Sequence, residues 1–240
     1  MKSYAVVLAA GSGHRMGTAV KKQYLPIKGR PLLYYSLKAF EDSFMDGIVI
    51  VTSKEDIDFV KEKIVKEYGF SKVIDIVEGG AQRCDSVLCG LKAIDAKTYG
   101  TADYVFIHDG ARPLIDEAML KRALDSAAEN RACVVGMPSK DTVKIADDDG
   151  FVKTTPRRDR VWTVQTPQVF EFELIFEAYT DVLSHKKEYE EQGITITDDA
   201  MVLELYSDIP IKLTEGSYRN IKVTTPEDLA LAEAFLELQT

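Results

Sequence analysis

The sequence predicts an α/β chain: a mostly parallel sheet with helices on both faces, in three layers, and a β-arm projecting from it. Two observations carry this. Short runs that are apolar at nearly every position alternate with segments of helical period, and a continuous apolar run is the pattern of a strand buried on both faces. One stretch, residues 138–164, breaks that alternation.

Tyr4–Ala9 is the first such run, and Gly47–Thr52, Lys72–Val77, Asp103–His108 and Ala132–Met137 repeat it. Helical periods at Pro31–Glu41, Lys54–Tyr68, Cys84–Ala96 and Asp116–Asn130 separate them. Strand alternating with helix implies parallel pairing. In 138–164, Asp141–Ile145 and Phe151–Thr155 flank the acidic turn Asp147-Asp148-Asp149-Gly150, so a hairpin is expected. A hairpin there would project from the sheet, to cover a site or embrace a second subunit. Helices are expected at Glu171–Ser184 and Asp198–Tyr206. The chain closes with a short strand near Ile211–Leu213, then Asn220–Thr224, then a helix opened by Thr225 as N-cap, Pro226 at N1 and Asp228 at N3. With no repeats, low-complexity tracts or linker, one domain over residues 1–240, carrying an arm, is the simplest account.

Composition excludes several classes of function. At 240 residues, with 45% hydrophobic and 29% charged side chains, the chain is an ordinary globular protein. A net charge of −9 argues against general nucleic-acid binding. No apolar run approaches the ~20 residues that span a membrane. Cys84, Cys89 and Cys133 form no CxxC and no metal-ligand spacing, so reduced thiols and a cytoplasmic setting are expected. The N-terminus enters a strand pattern directly, without the h-region of a signal peptide, and the length leaves no room for a second fused enzyme.

Against that acidic background, residues 1–40 contain no Asp or Glu, yet hold Lys2, Arg15, Lys21, Lys22, Lys28, Arg30 and Lys38. Within them the first apolar run breaks into Gly11-Ser12-Gly13-His14-Arg15-Met16-Gly17. Glycine lets the backbone approach a ligand and aim successive N–H groups at it. Excluding acids while placing cations nearby points to a polyanion, a phosphate chain. The dinucleotide fingerprint does not fit, because Gly17 is displaced by one and no acid precedes Glu41. A Walker A loop does not fit either, because Thr18, not Lys, follows Gly17.

Ligands of such sheets bind at the carboxyl ends of the strands. The glycine loop lies there after the first strand, as do Gly79–Arg83 after the third and Asp109–Pro113 after the fourth. Arg15 and Lys22 are the cations best placed to reach phosphates, with Lys21 the more superficial of its pair. Asp109 could hold Mg²⁺ directly or through water, or could form the turn and pair with Arg112. His108 reads as a packed strand end. No Ser–His–Asp arrangement is supported. Arg157, Arg158 and Arg160 cluster near the base of the arm, and arginine suits bidentate phosphate contact.

Taken together, these segments resemble the cytidylyltransferases that act on 2-C-methyl-D-erythritol 4-phosphate. The motifs are Leu8-Ala9-Ala10-Gly11-x-Gly13-x-Arg15-Met16-Gly17, Lys22-Gln23-Tyr24, Gly79-Gly80-x-x-Arg83-x-x-Ser86-Val87, His108-Asp109-x-Ala111-Arg112-Pro113, Asp141-Thr142-Val143-Lys144, Gln165-Thr166-Pro167-Gln168, Ile196-Thr197-Asp198 and Asn220-Ile221-Lys222-Val223-Thr224. The chain departs from the family pattern at Lys21, where proline usually precedes the lysine aligned with Lys22.

The resemblance implies a Rossmann-like three-layer nucleotidyltransferase fold and the following roles. Ala9, Ala10, Gly11 and Gly13 with Gly80, Ala81, Arg83 and Ser86 would hold the cytidine end of CTP. Arg15 and Lys22 would stabilise charge on its phosphates. Asp109 and Arg112 would line the ribose and metal side, with Mg²⁺ or another divalent cation as cofactor. Arg112, Thr142, Arg158, Thr166 and Lys222 would hold the polyol phosphate. The arm would exchange between two subunits of a homodimer. The related ribitol 5-phosphate cytidylyltransferases are the nearest alternative. Ala111, Trp162 and the Leu-Ala-Ala-Gly opening favour the erythritol reading. A non-catalytic CTP sensor is the alternative of another class, and the arginine cluster with Lys222, which implies a second anionic substrate, argues against it.

Overall fold

The structure, a computed structural model, describes residues 1–11 and 20–238. Strand β1 (Ser3–Leu8) is followed by a 3₁₀ turn, Lys22–Tyr24, a small hairpin of β2 (Pro26–Ile27) and β3 (Arg30–Pro31), and helix α1 (Leu32–Glu41). Then come β4 (Gly47–Thr52), a helical stretch, β5 (Val73–Glu78), α3 (Arg83–Thr98), β6 (Tyr104–Asp109), α4 (Glu117–Asn130) and β7 (Ala132–Pro138). The stretch between β4 and β5 was expected as one helix. It is instead a 3₁₀ turn (Lys54–Asp56), a single turn α2 (Ile57–Phe59) and a π-helical segment (Val60–Lys66).

The parallel expectation holds for β1 with β4 and β6, for β4 with β5, and for the late strand β11 (Lys212–Glu215) with β7. One strand was not expected. β10 (Trp162–Glu171) inserts between β6 and β7, antiparallel to both. The sheet order is therefore β11-β7-β10-β6-β1-β4-β5. Pro167 hides this strand in the sequence, since proline normally rules out a central strand. The register shifts between Val164 and Gln168, so the proline sits in a bulge outside the regular ladder.

The arm is shorter than expected. Its hairpin comprises only β8 (Ile145–Ala146) and β9 (Val152–Thr154), closed by Gly150 at φ +85. The Asp147 side chain accepts the Phe151 N–H at 2.8 Å across that turn. Residues 162–164 belong to β10 and pair with Pro138, Met137 and Gly136 of β7, so the foot of the arm is sheet.

Helices α5 (Phe172–Ser184), α6 (Lys186–Glu191), α7 (Asp199–Tyr206) and α8 (Pro226–Glu237) complete the chain. The expected cap of α8 is present: Asp228 accepts the Thr224 and Thr225 N–H groups at 2.8 and 2.9 Å. Two cores flank the sheet. Leu33, Leu37, Phe40, Met119 and Ala123 pack on one face, and Val87, Leu91, Ile175, Tyr179 and Val202 on the other. A third, smaller cluster of Ile27, Leu32, Leu114, Val223 and Ala232 seats α8.

Candidate active site

The loops after β1, β5 and β6 meet at one sheet edge, as parallel topology requires, and enclose a cleft of about 440 Å³. It is lined by Leu8 to Gly11, Lys22, Gln23, Gly80 to Arg83, Ser86, Asp109, Ala111 and Lys222. Backbone closeness explains Gly79 and Gly80. A Cβ on Gly80 would stand 2.3 Å from that of Asp85, and one on Gly79 only 2.7 Å from the Ser86 hydroxyl. The Ser86 Oγ accepts the Gly80 N–H at 3.1 Å and donates to the Gln82 carbonyl at 3.1 Å, fixing that loop on the start of α3. Gly13 and Arg15 lie outside the described residues.

A second cleft of about 330 Å³ adjoins the first and shares Arg83, Asp109 and Lys222 with it. Its other walls are Arg112, Val164, Gln165, Thr166, Gln168, Thr197 and Asp198. The shared wall is an ion network. Asp109 receives Lys222 at 2.8 Å, Arg83 at 3.4 Å and Arg112 at 3.8 Å. Burial pushes the Asp109 carboxyl up, but Arg83 and Lys222 overcome this and hold it far below the usual carboxylate range. Desolvation lowers the Arg112 pKa, against the pull of Asp109.

Arg83 is held from behind by a residue to which the sequence reading gave no role. Asp199, fully buried, takes its guanidinium in a two-pronged pair at 2.7 and 2.8 Å and accepts the Tyr179 hydroxyl at 2.5 Å. Desolvation alone would lower the Arg83 pKa; Asp199 reverses the sign and raises it. The adjacent Asp198 caps α7 by accepting the Met201 N–H at 3.0 Å. Of two successive aspartates, one was spent on the helix and the other was left for a partner, which is the signal that could have found it.

Thr166 does line the second cleft, but its hydroxyl is engaged. It accepts the Asp109 N–H at 3.0 Å, so its own proton goes to His108 Nδ1, also at 3.0 Å. His108 Nε2–H then donates to the Arg112 carbonyl at 3.1 Å. Burial lowers the His108 pKa to about 4, so the ring is a neutral strut. Asn220, also without an assigned role, donates to the Thr166 carbonyl at 2.9 Å and to Gln165 Oε1 at 3.1 Å, while its main-chain carbonyl accepts Arg112 at 2.8 Å. It ties the segment bearing Lys222 to the bulge of β10.

The cations of residues 1–40 do not all face one ligand. Lys2 reaches Thr101, Lys28 reaches Glu237, Lys38 reaches Asp42, and Arg30 lies on the Tyr34 ring. Among the described residues of that stretch, Lys22 is the cation lining the cleft, with Nζ 3.2 Å from the Val223 carbonyl. Lys21, expected at the surface, is half-buried against Ser53, Glu55 and Asp56. Thr142 and Arg158 lie on the exposed arm; Arg158 contacts the Lys140 carbonyl at 3.4 Å and lines neither cleft. Among the described residues, no three His, Cys, Asp or Glu side chains converge as a metal cage. No described helix is long and apolar enough to cross a membrane.

Comparison with known proteins agrees with this geometry. A protein named 2-C-methyl-D-erythritol 4-phosphate cytidylyltransferase from Lachnoclostridium phytofermentans is 50% identical over 235 residues, covering 98% of this chain and 96% of that one. One of the same name from Lachnospira eligens is 45% identical, covering 97% and 98%. The crystal structure of 4-diphosphocytidyl-2C-methyl-D-erythritol synthase from Anaerococcus prevotii superposes with a TM-score of 0.84 at 33% identity, covering 98% and 96%. The profile of the IspD family, 2-C-methyl-D-erythritol 4-phosphate cytidylyltransferase, matches residues 3–238. The chain belongs to the IspD family of cytidylyltransferases.

Proposed function

We propose that this enzyme transfers CMP from CTP to 2-C-methyl-D-erythritol 4-phosphate, giving 4-diphosphocytidyl-2-C-methyl-D-erythritol and pyrophosphate in non-mevalonate isoprenoid synthesis. The observation that carries the reading is the pair of adjoining clefts with Arg83, Asp109 and Lys222 as their common wall. Two anions must meet there, and the reacting atoms would lie at that wall.

The cytidine end occupies the first cleft, against Ala9, Ala10, Gly11, Gly80, Ala81 and Ser86. Small side chains and exposed backbone suit a flat base read at its edge. The polyol phosphate occupies the second, near Arg112, Thr166 and Lys222. A phosphate oxygen of the polyol attacks the α-phosphorus, and the bond to the pyrophosphate oxygen breaks. The nucleophile is already ionised at neutral pH, so no general base is needed, in keeping with a neutral, engaged His108. The protein's work is to neutralise and align. Lys22 and Arg15 offset charge growing on the triphosphate, while Lys222 and Arg112 draw the attacking phosphate against its repulsion.

Among the described residues, Asp109 is the sole carboxylate lining the first cleft. Its charge is already met by Lys222 and Arg83, so Asp109 would at most help to hold a divalent cation carried by the triphosphate. Bound there, the cation would supply further neutralisation of the phosphate oxygens.

The second cleft is completed from another subunit. Thr142 and Arg158 do not reach either cleft of their own chain, and the arm exposes Ile145, Phe151 and Val152 at 48, 73 and 61%. These features support a homodimer in which each arm serves the partner's site. Three free cysteines support a reducing, cytoplasmic setting, and residues 1–240 are read as one domain with an arm.

Pyrophosphate release from CTP and Mg²⁺ tests the assignment. It should require methylerythritol phosphate. Equal or faster release with ribitol 5-phosphate would move the assignment to the ribitol enzyme, and CTP binding without release for either would favour a sensor.

A further inference from the structure

Lys22 sits in a 3₁₀ turn that is tied down at both ends by one carboxylate. Lys21 Nζ donates to Asp56 Oδ2 at 2.7 Å, to Glu55 Oε1 at 2.7 Å and to Ser53 Oγ at 2.6 Å. The Tyr24 hydroxyl donates to the same Asp56 oxygen at 3.1 Å, and the Ser53 hydroxyl does so at 2.8 Å. Residues three apart eclipse in a 3₁₀ turn, so Lys21 and Tyr24 share a face and the two residues between them point elsewhere. Gln23 donates to the Ala9 carbonyl at 2.6 Å, just beyond the end of β1. Lys22 is left directed at the cleft, beside the Val223 carbonyl.

The backbone at Lys21 has φ −60 and ψ 138. That φ is the one a proline ring would impose. In this chain nothing covalent fixes the angle. The side chain supplies the restraint instead, through three acceptors on the loop after β4. Glu55 registers the contact: Lys21 beside it pulls its carboxyl down to about 2.

We propose that Lys21, Tyr24 and Asp56 form a clamp that positions Lys22 on the triphosphate. Lys21 is a positioning residue; its own charge is consumed by Glu55 and Asp56 and does not touch substrate. A lysine ammonium rides on a flexible four-carbon stem, so the turn beneath it decides where its charge falls. Misplacement by about 1 Å can cost on the order of 10²-fold in rate. The inference rests on the reading of Lys22 as the triphosphate lysine, and the test separates the two.

Steady-state kinetics on the full chain, with CTP, Mg²⁺ and methylerythritol phosphate, should show Lys21→Met lowering kcat by about tenfold or more. KM for methylerythritol phosphate should change little. Lys21→Pro should restore most of that kcat, because it restores the backbone restraint without a charge. In the Lys22→Ala background, Lys21→Met should cost nothing further, since a positioning residue has no effect once its target is gone. Asp56→Asn, which keeps the turn's size and weakens both ties, should behave like Lys21→Met. If Lys21→Pro is as impaired as Lys21→Met, and the Lys21→Met and Lys22→Ala losses multiply, Lys21 acts by its charge on substrate and the clamp is wrong. Full activity in Lys21→Met would also overturn it. If Lys22→Ala itself is near normal, the triphosphate reading of Lys22 fails first and takes the clamp with it.

Discussion

The two clefts beside the shared Arg83–Asp109–Lys222 wall are built by different means. The first uses backbone: loops leaving the parallel strands β1 and β5, small side chains, and the start of α3. The second uses side chains from a bulge in the antiparallel β10, from the N-terminus of α7, and from the segment before α8. Backbone walls need little support beyond the sheet. Side-chain walls need the network of Asp199, Asn220 and His108 behind them, and the proposed dimer would add the arm. The first cleft should therefore tolerate changes at Asn220 and His108, and the second should not; Asp199 stands behind the shared Arg83 and bears on both.

The largest expected effect tests whether the second cleft is completed by a partner. Lys22→Ala and Arg158→Ala should each lower kcat by on the order of 10²-fold or more, the scale for losing a charge stabiliser in the transition state. Mixed dimers of the two inactive variants should regain activity. Failure despite confirmed mixing would return Arg158 to its own subunit's site, and the two clefts would be equally self-contained. Next in size is Asp199→Asn, which leaves Arg83 without its charged partner. Because Arg83 borders both clefts, kcat/KM should fall for both substrates, by about tenfold or more, the scale of a hydrogen bond to a charged group. A loss confined to CTP would place Arg83 in the first cleft alone.

Asn220→Ala is the intermediate case. It orphans Thr166 O and leaves Gln165 Oε1 only the 3.4 Å bond from the Ser217 N–H, at a cost of about 1–3 kcal/mol for a buried polar group left unpaired, read as a lowered urea midpoint. KM for methylerythritol phosphate should rise several-fold while KM for CTP holds. An equal rise in both would show that Asn220 supports the whole edge.

The smallest effect comes from His108. An unfolded histidine takes up a proton near pH 6.5, but buried His108 does so only at about 4. Its folded pKa is the lower, so its contribution is complete above pH 6.5 and is lost as pH falls toward 4, by about 1.4 kcal/mol per unit. Urea midpoints at pH 7.0 and 5.5 should differ more for the parent than for His108→Gln. Identical differences would mean that the strut is not held neutral.

The same contrast governs what the sequence disclosed. The parallel strands and the loops after β1, β5 and β6 were legible because a strand buried on both faces leaves an unbroken apolar run, and its ligand loop must follow it. Gly79 and Gly80 were legible because close approach there admits nothing larger. β10 was not, since Pro167 and its polar neighbours erase the period that would mark a strand. Asp199 and Asn220 were not given their roles because a buried polar strut is recognisable only with its partner, and here Arg83 and Thr166 lie 116 and 54 residues away. The acid-free first forty residues point to phosphate, but most of their described cations serve local pairs, and the local sequence does not separate those from Lys22.

The central claim is that two anions occupy two clefts and meet at one wall. It is tested most directly by KM values for both substrates in Ser86→Ala, which alters only the first cleft, and Arg112→Met, which alters only the second. The account predicts a crossover: Ser86→Ala raises KM for CTP and spares methylerythritol phosphate, and Arg112→Met does the reverse. If each variant raised both values alike, the two clefts would be one undivided site and the account would be contradicted.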